Sequence, residues 1–244
     1  MPPSPMTTMP VPWRLIPATL VDRPNRFLTN IIVQGRQHQA HLPDPGRLLE
    51  LLWPGVDLLV QHNPGPGRKT DYTVHLARRP AGEGWVCINT LLPNRFVRFL
   101  LNEHQLPALA GWDLVGTEVT EGHSRFDFLL ERDGRRLYLE VKSVTFVDGG
   151  VAQFPDAVSA RAAKHARHLA ELAVNGYQAM ILFVVQRDDA HIFRPMWDRD
   201  PEVGRALNEA ALAGVDIRAI KLAVTPEIFT YKGELPVDLE PPRD

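Results

Sequence analysis

The sequence predicts an α/β protein of two domains, an OB-like β-barrel followed by a mixed β-sheet with helices packed on it. In residues 13–90, short apolar segments are separated by turns rich in Gly and Pro, with one short helical pattern among them, which is typical of a small barrel. In residues 91–244, helical and strand patterns alternate, which is typical of a sheet covered by helices. Residues 1–12 contain five prolines and no apolar pattern, so we expect a disordered tail there.

The elements of the barrel follow from apolar runs between turn signals. A Gln-Gly step separates the first two expected strands, and the turn from Pro43 to Gly46 leads into a short helix at 47–52. The expected strands are residues 26–33, 36–42, 56–61, 70–79 and 85–89. Other small β-barrels fit this order of elements nearly as well as an OB-like one, so both interpretations stay open.

The second domain begins with a helix at 94–105 and a strand at 113–120, followed by a charged hairpin. A second helix starts at Asp156 or Ser159, each a good N-cap, and ends at an Asn-Gly step. The strongly apolar segment 177–186 is expected to be a central strand. Asp200 and Pro201 then open a third helix, and residues 215–224 form a further strand.

Composition narrows the classes of protein. The formal net charge is −2, but residues 1–90 carry 9 Lys+Arg against 6 Asp+Glu, whereas residues 91–244 carry 18 against 23. This asymmetry suits a phosphate-binding module joined to a metal site, and statistical scatter explains it equally well.

The single cysteine, Cys87, excludes an internal disulfide and a zinc site of the Cys/His type, and we expect it in a buried strand. The longest apolar run, 179–185, is too short to span a bilayer, so we expect a soluble, cytoplasmic protein.

The charged hairpin contains the candidate catalytic residues. An Asp-Gly step between two apolar strands favours a tight turn, which would place Asp127 opposite Glu140 and Arg125 opposite Lys142 on one face. The other face would carry only apolar side chains: Phe126, Phe128, Leu130, Leu137, Leu139 and Val141.

Two carboxylates opposite each other on neighbouring strands repel, so one of them should have a raised pKa. A divalent cation between Asp127 and Glu140 removes the repulsion, and Lys142 adds the positive charge typical of metal-dependent phosphodiester cleavage. The alternative is an exposed hairpin face with ordinary cross-strand ion pairs.

Other residues could support such a site. The second helix has Arg161, Lys164, His165 and His168 at helical spacing, which predicts a basic face that holds a phosphate backbone or simply faces solvent. Glu103, on the helix before the sheet, is either a third acidic ligand or a solvated side chain.

Several short strings are spread along the chain: Arg26-Phe27-Leu28, Asp44-Pro45-Gly46, Asn89-Thr90, Leu92-Pro93-Asn94-Arg95, Ser124-Arg125-Phe126-Asp127-Phe128, Glu140-Val141-Lys142-Ser143-Val144-Thr145, Phe154-Pro155-Asp156-Ala157-Val158, Lys164-His165 and Leu182-Phe183-Val184-Val185-Gln186. With these strings the chain resembles the bacterial and archaeal sugar fermentation stimulation protein A family, from about Arg14 to Leu239.

The resemblance implies an N-terminal OB-like domain (13–90), a C-terminal restriction-endonuclease-like domain of the PD-(D/E)xK kind (91–244), DNA binding and a regulatory role in sugar utilisation. It implies a nuclease centre at Asp127, Glu140 and Lys142. The chain departs from the family pattern at Asp44, where Asn is usual, and at Ala162, where Gly is usual. The first departure puts a role for that barrel loop position in doubt.

We therefore predict a DNA-binding protein with a nuclease centre that depends on Mg²⁺ or Mn²⁺. Asp127, Glu140 and the backbone carbonyl of Val141 would hold the ion, and Lys142 would act on the attacking water or the developing charge. The residues expected to contact nucleic acid are Arg23, Arg26, Arg36, Arg68, Lys69, Arg125, Gln153, Arg161, Lys164 and His165. The alternatives are a non-catalytic regulator of sugar-utilisation genes with a nuclease-like fold, and a small-molecule or metal sensor. Single-stranded DNA or RNA as the partner, and a homodimer, stay open.

Overall fold

Two large β-sheets, formed by successive parts of the chain, organise the protein. The computed structural model describes residues 7–80 and 83–242. In chain order the elements are β1 (Thr8–Pro10), β2 (Leu15–Asn25), β3 (Leu28–Val33), β4 (Arg36–His41), β5 (Asp57–His62), β6 (Tyr72–Arg78), β7 (Trp85–Cys87), α1 (Leu92–Asn102), a 3₁₀ turn (Pro107–Leu109), β8 (Asp113–Glu121), β9 (Ser124–Arg132), β10 (Arg135–Val144), β11 (Val147–Asp148), β12 (Val151–Phe154), α2 (Ala160–Val174), β13 (Gln178–Val185), β14 (Ile192–Pro195), α3 (Pro201–Leu212), β15 (Asp216–Val224) and β16 (Ile228–Leu235).

The first sheet is a closed barrel. Its strand order is β4-β3-β2-β5-β6-β7, and an additional parallel pairing of β4 with β6 closes it. Aliphatic side chains such as Leu20, Ile31 and Val74 fill the interior, because alternate residues of each strand point inward. Cys87 is buried at the end of β7, as expected.

Residues 47–52, all within the described chain, form a turn in place of the expected short helix. Leu48 has a φ of 51°, in the left-handed region. Its backbone N–H donates to Oδ2 of Asp156 in the second domain at 2.6 Å. Leu51 and Leu52 both donate their N–H groups to the carbonyl of Leu48, so a single turn forms and ends. Leu48, which makes this contact between domains, has a backbone conformation that a right-handed helix cannot accommodate.

The second sheet has the order β1-β16-β15-β13-β10-β9-β8, and β13 lies between β10 and β15, parallel to both. The expected central strand is therefore confirmed. Helix α1 packs on one face of the sheet through Phe96 and Leu100, and helices α2 and α3 pack on the other through Leu169 and Leu207. None of the described helices is both long and apolar enough to cross a membrane.

The prediction of a disordered tail is wrong for residues 8–10. Residues 1–6 lie outside the described chain. Strand β1 pairs antiparallel with β16, with Met9 opposite Phe229 and Pro10 opposite Ile228. Met9 packs against the apolar cluster beneath α1. The open edge of β16 gains a backbone partner in this way, and proline is tolerated because β1 is itself an edge strand.

The hairpin of β9 and β10 follows the expected register. Asp133 and Gly134 both have positive φ, 51° and 72°, as a tight two-residue hairpin turn requires. Paired residues run from Arg135 opposite Arg132 to Leu139 opposite Phe128, which is the last pair before the strands separate.

The faces of β9 differ from the expectation at one position. Phe128 packs beneath α1 with the other apolar residues of the hairpin, but Phe126 packs on the opposite face with Tyr138, beneath α2. The alternation breaks at Asp127, where β9 leaves β10. Arg125, which was expected to lie opposite Lys142 of β10, forms an ion pair with Glu118 of β8 at 2.8 Å.

Candidate active site

A cleft of about 590 Å³ lies at the junction of the two domains. The barrel contributes Arg26 and the loop from Asp44 to Gly46, and the second domain contributes the start of α1, the ends of β9 and β10, β12 and the first turn of α2. Asp127, Glu140 and Lys142 all line this cleft, so the structure brings the three residues of the predicted centre together.

Asp127 is fixed by two hydrogen bonds, one to each carboxylate oxygen. The backbone N–H of Val141 donates to Oδ2 at 2.7 Å, so the side chain of Asp127 provides an acceptor just beyond the last backbone pair of the hairpin. The side-chain amide of Asn94, in the first turn of α1, donates to Oδ1 at 2.6 Å. Burial, and then the nearby charge of Glu140, raise the pKa of Asp127 to about 6. A raised pKa was expected for one of the two carboxyls because of their mutual repulsion; the pKa of Asp127 is raised, but burial is the larger cause, and the backbone pairing ends one residue before Asp127 and Glu140.

Glu140 is more deeply buried, with 3% of its surface exposed. Its Oε1 accepts from the ammonium of Lys142 at 2.5 Å and contacts Nδ1 of His165 at 2.7 Å. Burial favours the neutral acid, but the hydrogen bond from His165 and the charge of Lys142 outweigh it and lower the pKa of Glu140. Its Oε2 is buried and has no hydrogen-bond partner among residues 7–80 and 83–242. Glu140 is therefore an ionised carboxylate with one oxygen that lacks a protein donor.

The prediction that the basic residues of α2 form a single surface is wrong. His165 and His168 are each only 5% exposed and point toward the sheet, whereas Arg161 and Lys164 are exposed. Leu169 is buried on the same side as the two histidines. Because the helix turns about 100° per residue, the spacing of the basic residues predicts that they lie near one another around the helix. It does not decide which of them face the core.

Among the residues expected to contact nucleic acid, Arg26, Gln153 and Arg161 line the cleft. Arg23 is half-buried, and its guanidinium donates to the carbonyls of Arg26, Asp44, Gly46 and Arg47. It thus holds the barrel loop that forms one wall of the cleft.

The remaining expected contacts lie away from the lining of the cleft. Arg36 is exposed at the start of β4, and Arg125 is paired with Glu118. Lys164 donates to the backbone carbonyl of His123 at 3.3 Å. Glu103 is exposed just after the last residue of α1, at the opposite end of the helix from Asn94, so it is a solvated side chain and not a third ligand.

Asp156 joins the two domains and does not cap a helix. Its Oδ2 accepts from the N–H of Leu48, and its Oδ1 accepts from Arg199 at 2.5 Å. Ser159 is the N-cap of α2, because its hydroxyl accepts from the N–H of Ala162. A side chain on Gly46 would lie 2.9 Å from Asp44 and 3.0 Å from Asp156, so this loop needs glycine for its close approach.

Asn94 is the site residue that sequence reasoning missed. It falls within a string that carries the family resemblance, but an asparagine near a helix N-terminus reads as ordinary capping chemistry. The small sheet of β11, β12 and β14 was also not predicted, and it places Gln153 at the cleft. Its strands are short, and β12 pairs with β14 from a distant part of the chain.

Comparison with known proteins identifies the family. Residues 91–228 match the family model described as the sugar fermentation stimulation protein RE domain, and residues 21–88 match that of the SfsA N-terminal OB domain. The chain belongs to the sugar fermentation stimulation protein family. The expected OB-like barrel, mixed-sheet second domain and family are thus confirmed.

Sugar fermentation stimulation protein homologs cover nearly the whole chain. The homolog from Desulforamulus reducens is 41% identical over 225 residues, 92% of this chain and 93% of the relative. That from Thioalkalivibrio sulfidiphilus is 42% identical over 229 residues, 92% of this chain and 96% of the relative. The solved structure of Pyrococcus furiosus SfsA in complex with Ca²⁺ is similar with a TM-score of 0.85 and 32% identity, and covers 94% of this chain and 98% of that one.

Proposed function

We propose that this sugar fermentation stimulation protein is a metal-dependent phosphodiesterase that cleaves nucleic acid in the cleft between its domains, with a centre of the PD-(D/E)xK type. The observation that carries the proposal is the state of Glu140. It is a buried, ionised carboxylate with one oxygen that has no hydrogen-bond partner among the described residues, and it lies beside a second buried carboxylate, Asp127. A site selected for stability alone would not contain this pair, because buried like charges repel and a buried acceptor without a donor is costly.

The residues present fit a hard divalent cation. Oε2 of Glu140 supplies an oxygen without a protein donor, and Asp127 and the backbone carbonyl of Val141 supply further oxygens of the kind that Mg²⁺ and Mn²⁺ prefer. Pyrococcus furiosus SfsA in complex with Ca²⁺ supports the binding of a hard cation by a protein of this fold. Bound Mg²⁺ or Mn²⁺ would lower the pKa of a coordinated water and neutralise charge on the phosphate.

The protein side chains would divide the remaining work. Asn94 and the N–H of Val141 fix the orientation of Asp127, and His165 fixes that of Glu140. The ammonium of Lys142 lies in the cleft with the carboxylates and would orient the attacking water or stabilise the developing negative charge. Preorganised groups of this kind act mainly on the transition state and only weakly on substrate affinity.

The walls of the cleft suit a phosphate backbone. Arg26 from the barrel and Arg161 from α2 line it from the two domains, together with the acidic pair. A second depression of about 660 Å³ on the barrel is lined by Phe27, Arg68 and Lys69. Phe27 is 53% exposed, and an exposed ring beside cations is the combination on which bases of single strands stack. DNA is the proposed substrate class, with single-stranded DNA and RNA as the other forms to test, and the proposed location of the protein is the cytoplasm.

The deciding experiment compares wild type with Lys142→Ala on labelled single-stranded and double-stranded DNA and on RNA. Each is incubated with Mg²⁺, with Mn²⁺ and with chelator. We expect cleavage by wild type only with metal, a loss of about 100-fold or more in rate for Lys142→Ala, and little change in its affinity. Lys232→Ala, an exposed lysine on β16, is the matched control and should cleave as wild type.

A second function is favoured by one contact, the short bond between Lys142 and Glu140. This bond neutralises part of the acidic pair within the protein, as a structural ion pair would in a non-catalytic DNA-binding regulator of sugar-utilisation genes. Wild type that binds DNA but cleaves no nucleic acid with either metal would establish the regulator and refute the phosphodiesterase. Equal cleavage by wild type and Lys142→Ala would assign the activity to another site.

A further inference from the structure

A cluster of two histidines and a glutamate lies outside the cleft, where the turn between β8 and β9 meets helix α2. The ring of His123, in that turn, stacks on the ring of His168, with centroids 3.8 Å apart and planes at 15°. Glu171 follows His168 by three residues on α2, so it lies on the same side of the helix. Potential ligand atoms of all three residues lie within 4.8 Å of one another.

The turn is fixed by one contact with α2 and one with β10. The ammonium of Lys164 donates to the carbonyl of His123, and the hydroxyl of Tyr138 donates to Glu121 at 2.8 Å. Gly122 has a φ of 53°, and a side chain there would lie 3.1 Å from Nε2 of His168. The glycine therefore permits the approach that brings His123 against His168.

His168 has a feature that ordinary packing does not explain. Its side chain is 5% exposed, yet its Nδ1 has no hydrogen-bond partner in the part of the chain that the structure describes. Buried polar atoms in folded proteins nearly always have a partner, so one without a partner calls for a ligand or a particular role. His123 and Glu171 are exposed, so an ion from solvent can reach their ligand atoms.

We propose that His123, His168 and Glu171 form a second metal site that takes a transition-metal ion, with Zn²⁺ as the ion of choice. Two imidazoles and one carboxylate are a ligand set that binds Zn²⁺, with a fourth position left for water. Imidazole binds a metal in the plane of its ring, so the exposed ring of His123 would turn out of its stack on His168 when the ion binds. Imidazole nitrogen is a poor ligand for Mg²⁺ and a good one for Zn²⁺, Cu²⁺ and Ni²⁺, so this site and the oxygen-lined cleft select different ions. The ion would tie the β8–β9 turn to α2.

The two sites are neighbours on α2 but share no ligand. His165, which contacts Glu140, lies three residues before His168 on the helix, and the ring of Phe126 contacts both imidazoles, with centroids 6.0 Å and 5.3 Å away. Separate variants can therefore report on each site.

The test uses Zn²⁺ calorimetry and the electron paramagnetic resonance spectrum of bound Cu²⁺ on the full chain. We expect Zn²⁺ affinity to fall at least tenfold in His123→Gln and in Glu171→Gln, and the imidazole nitrogen couplings of Cu²⁺ to weaken in His123→Gln. Both ligands are exposed, so these variants should fold, which a change at buried His168 would not guarantee. His104→Gln, an exposed histidine just beyond α1, is the matched control and should bind as wild type.

Asp127→Asn separates this proposal from the proposed phosphodiesterase. It should lose Mg²⁺ or Mn²⁺ binding in the cleft and keep Zn²⁺ at the histidine cluster. Zn²⁺ affinity that is unchanged in both His123→Gln and Glu171→Gln overturns the second site. Zn²⁺ binding that disappears in Asp127→Asn but persists in His123→Gln assigns the ion to the cleft, and this also overturns the second site while leaving the first intact.

Discussion

Nδ1 of His165 lies 2.7 Å from Oε1 of Glu140, so a helix residue holds a strand carboxylate from beneath the cleft. Both side chains are almost fully buried, and the other oxygen of Glu140 has no hydrogen-bond partner within the described part of the chain. His165 was expected to clamp a phosphate from the surface of the helix. Its burial makes it a residue that positions a candidate metal ligand.

Replacing His165 should weaken metal binding without removing any ligand. In His165→Leu, Glu140 loses a hydrogen bond that orients it, and we expect divalent-ion affinity to fall about tenfold or more, as for other residues that hold metal ligands. In His165→Gln the amide can still donate, and we expect partial recovery. Calorimetric titration with Mn²⁺ measures both; equal affinity in wild type and His165→Leu would show that the contact only fills space.

Neutralising Asp127 should stabilise the protein in the absence of metal. The pKa of Asp127 is about 6 in the folded protein, which lies above the unfolded value. The neutral carboxyl group does not destabilise the fold below about pH 4, whereas the ionised form destabilises it progressively as the pH rises to 6. Asp127→Asn should therefore raise the free energy of unfolding by about 2 kcal/mol at pH 8 and by little at pH 4. The side-chain amide of Asn94 can turn over to accept from the new amide. Urea unfolding in chelator at both pH values tests the expected difference.

Glu140→Gln should have the opposite sign. Its folded pKa is lowered, so its ionised form stabilises the fold above the unfolded pKa, and this contribution is lost as pH falls through the folded value. The substitution leaves the ammonium of Lys142, 15% exposed, without its carboxylate, and we expect a loss of about 3 kcal/mol at neutral pH. Unfolding at pH 7 without metal measures it. A variant as stable as wild type would mean that water serves Lys142 as well as Glu140 does.

Removing a cationic side chain from the barrel and removing an aromatic ring from it should change nucleic-acid affinity in different ways. Arg26→Ala removes a phosphate contact, so it should weaken binding and reduce the slope of log affinity against log salt by about one. Phe27→Ala should weaken single-strand binding by about 1–3 kcal/mol and leave that slope unchanged, because stacking releases no counterions. Fluorescence anisotropy from low to high salt measures both, with Arg205→Ala on α3 as the control. Identical slopes for wild type and Arg26→Ala would remove the cleft wall as a phosphate contact.

Local patterns were sufficient for several elements. The Asp-Gly turn determined the register of β9 and β10, and the apolar run at 177–186 identified the central strand, because each depends on residues close in sequence. The pair of Asp200 and Pro201 marked the start of α3, with Asp200 accepting from the N–H of Val203. Patterns failed where a distant segment intervened, as at Leu48, whose N–H bonds Asp156 across the domain junction.

The sequence by itself determined which residues would make the candidate centre, because Asp127, Glu140 and Lys142 lie on one hairpin whose geometry is local. Only the tertiary structure decided their chemical states. Whether the pKa of a carboxyl group in this cleft is lowered or raised depends on the burial of the group and on hydrogen-bond donors from elsewhere in the chain. Asn94 comes from α1 and His165 from α2, and no spacing within the hairpin specifies that those side chains arrive at Asp127 and Glu140. Long-range packing therefore made two similar carboxylates unequal, raising the pKa of one and lowering that of the other.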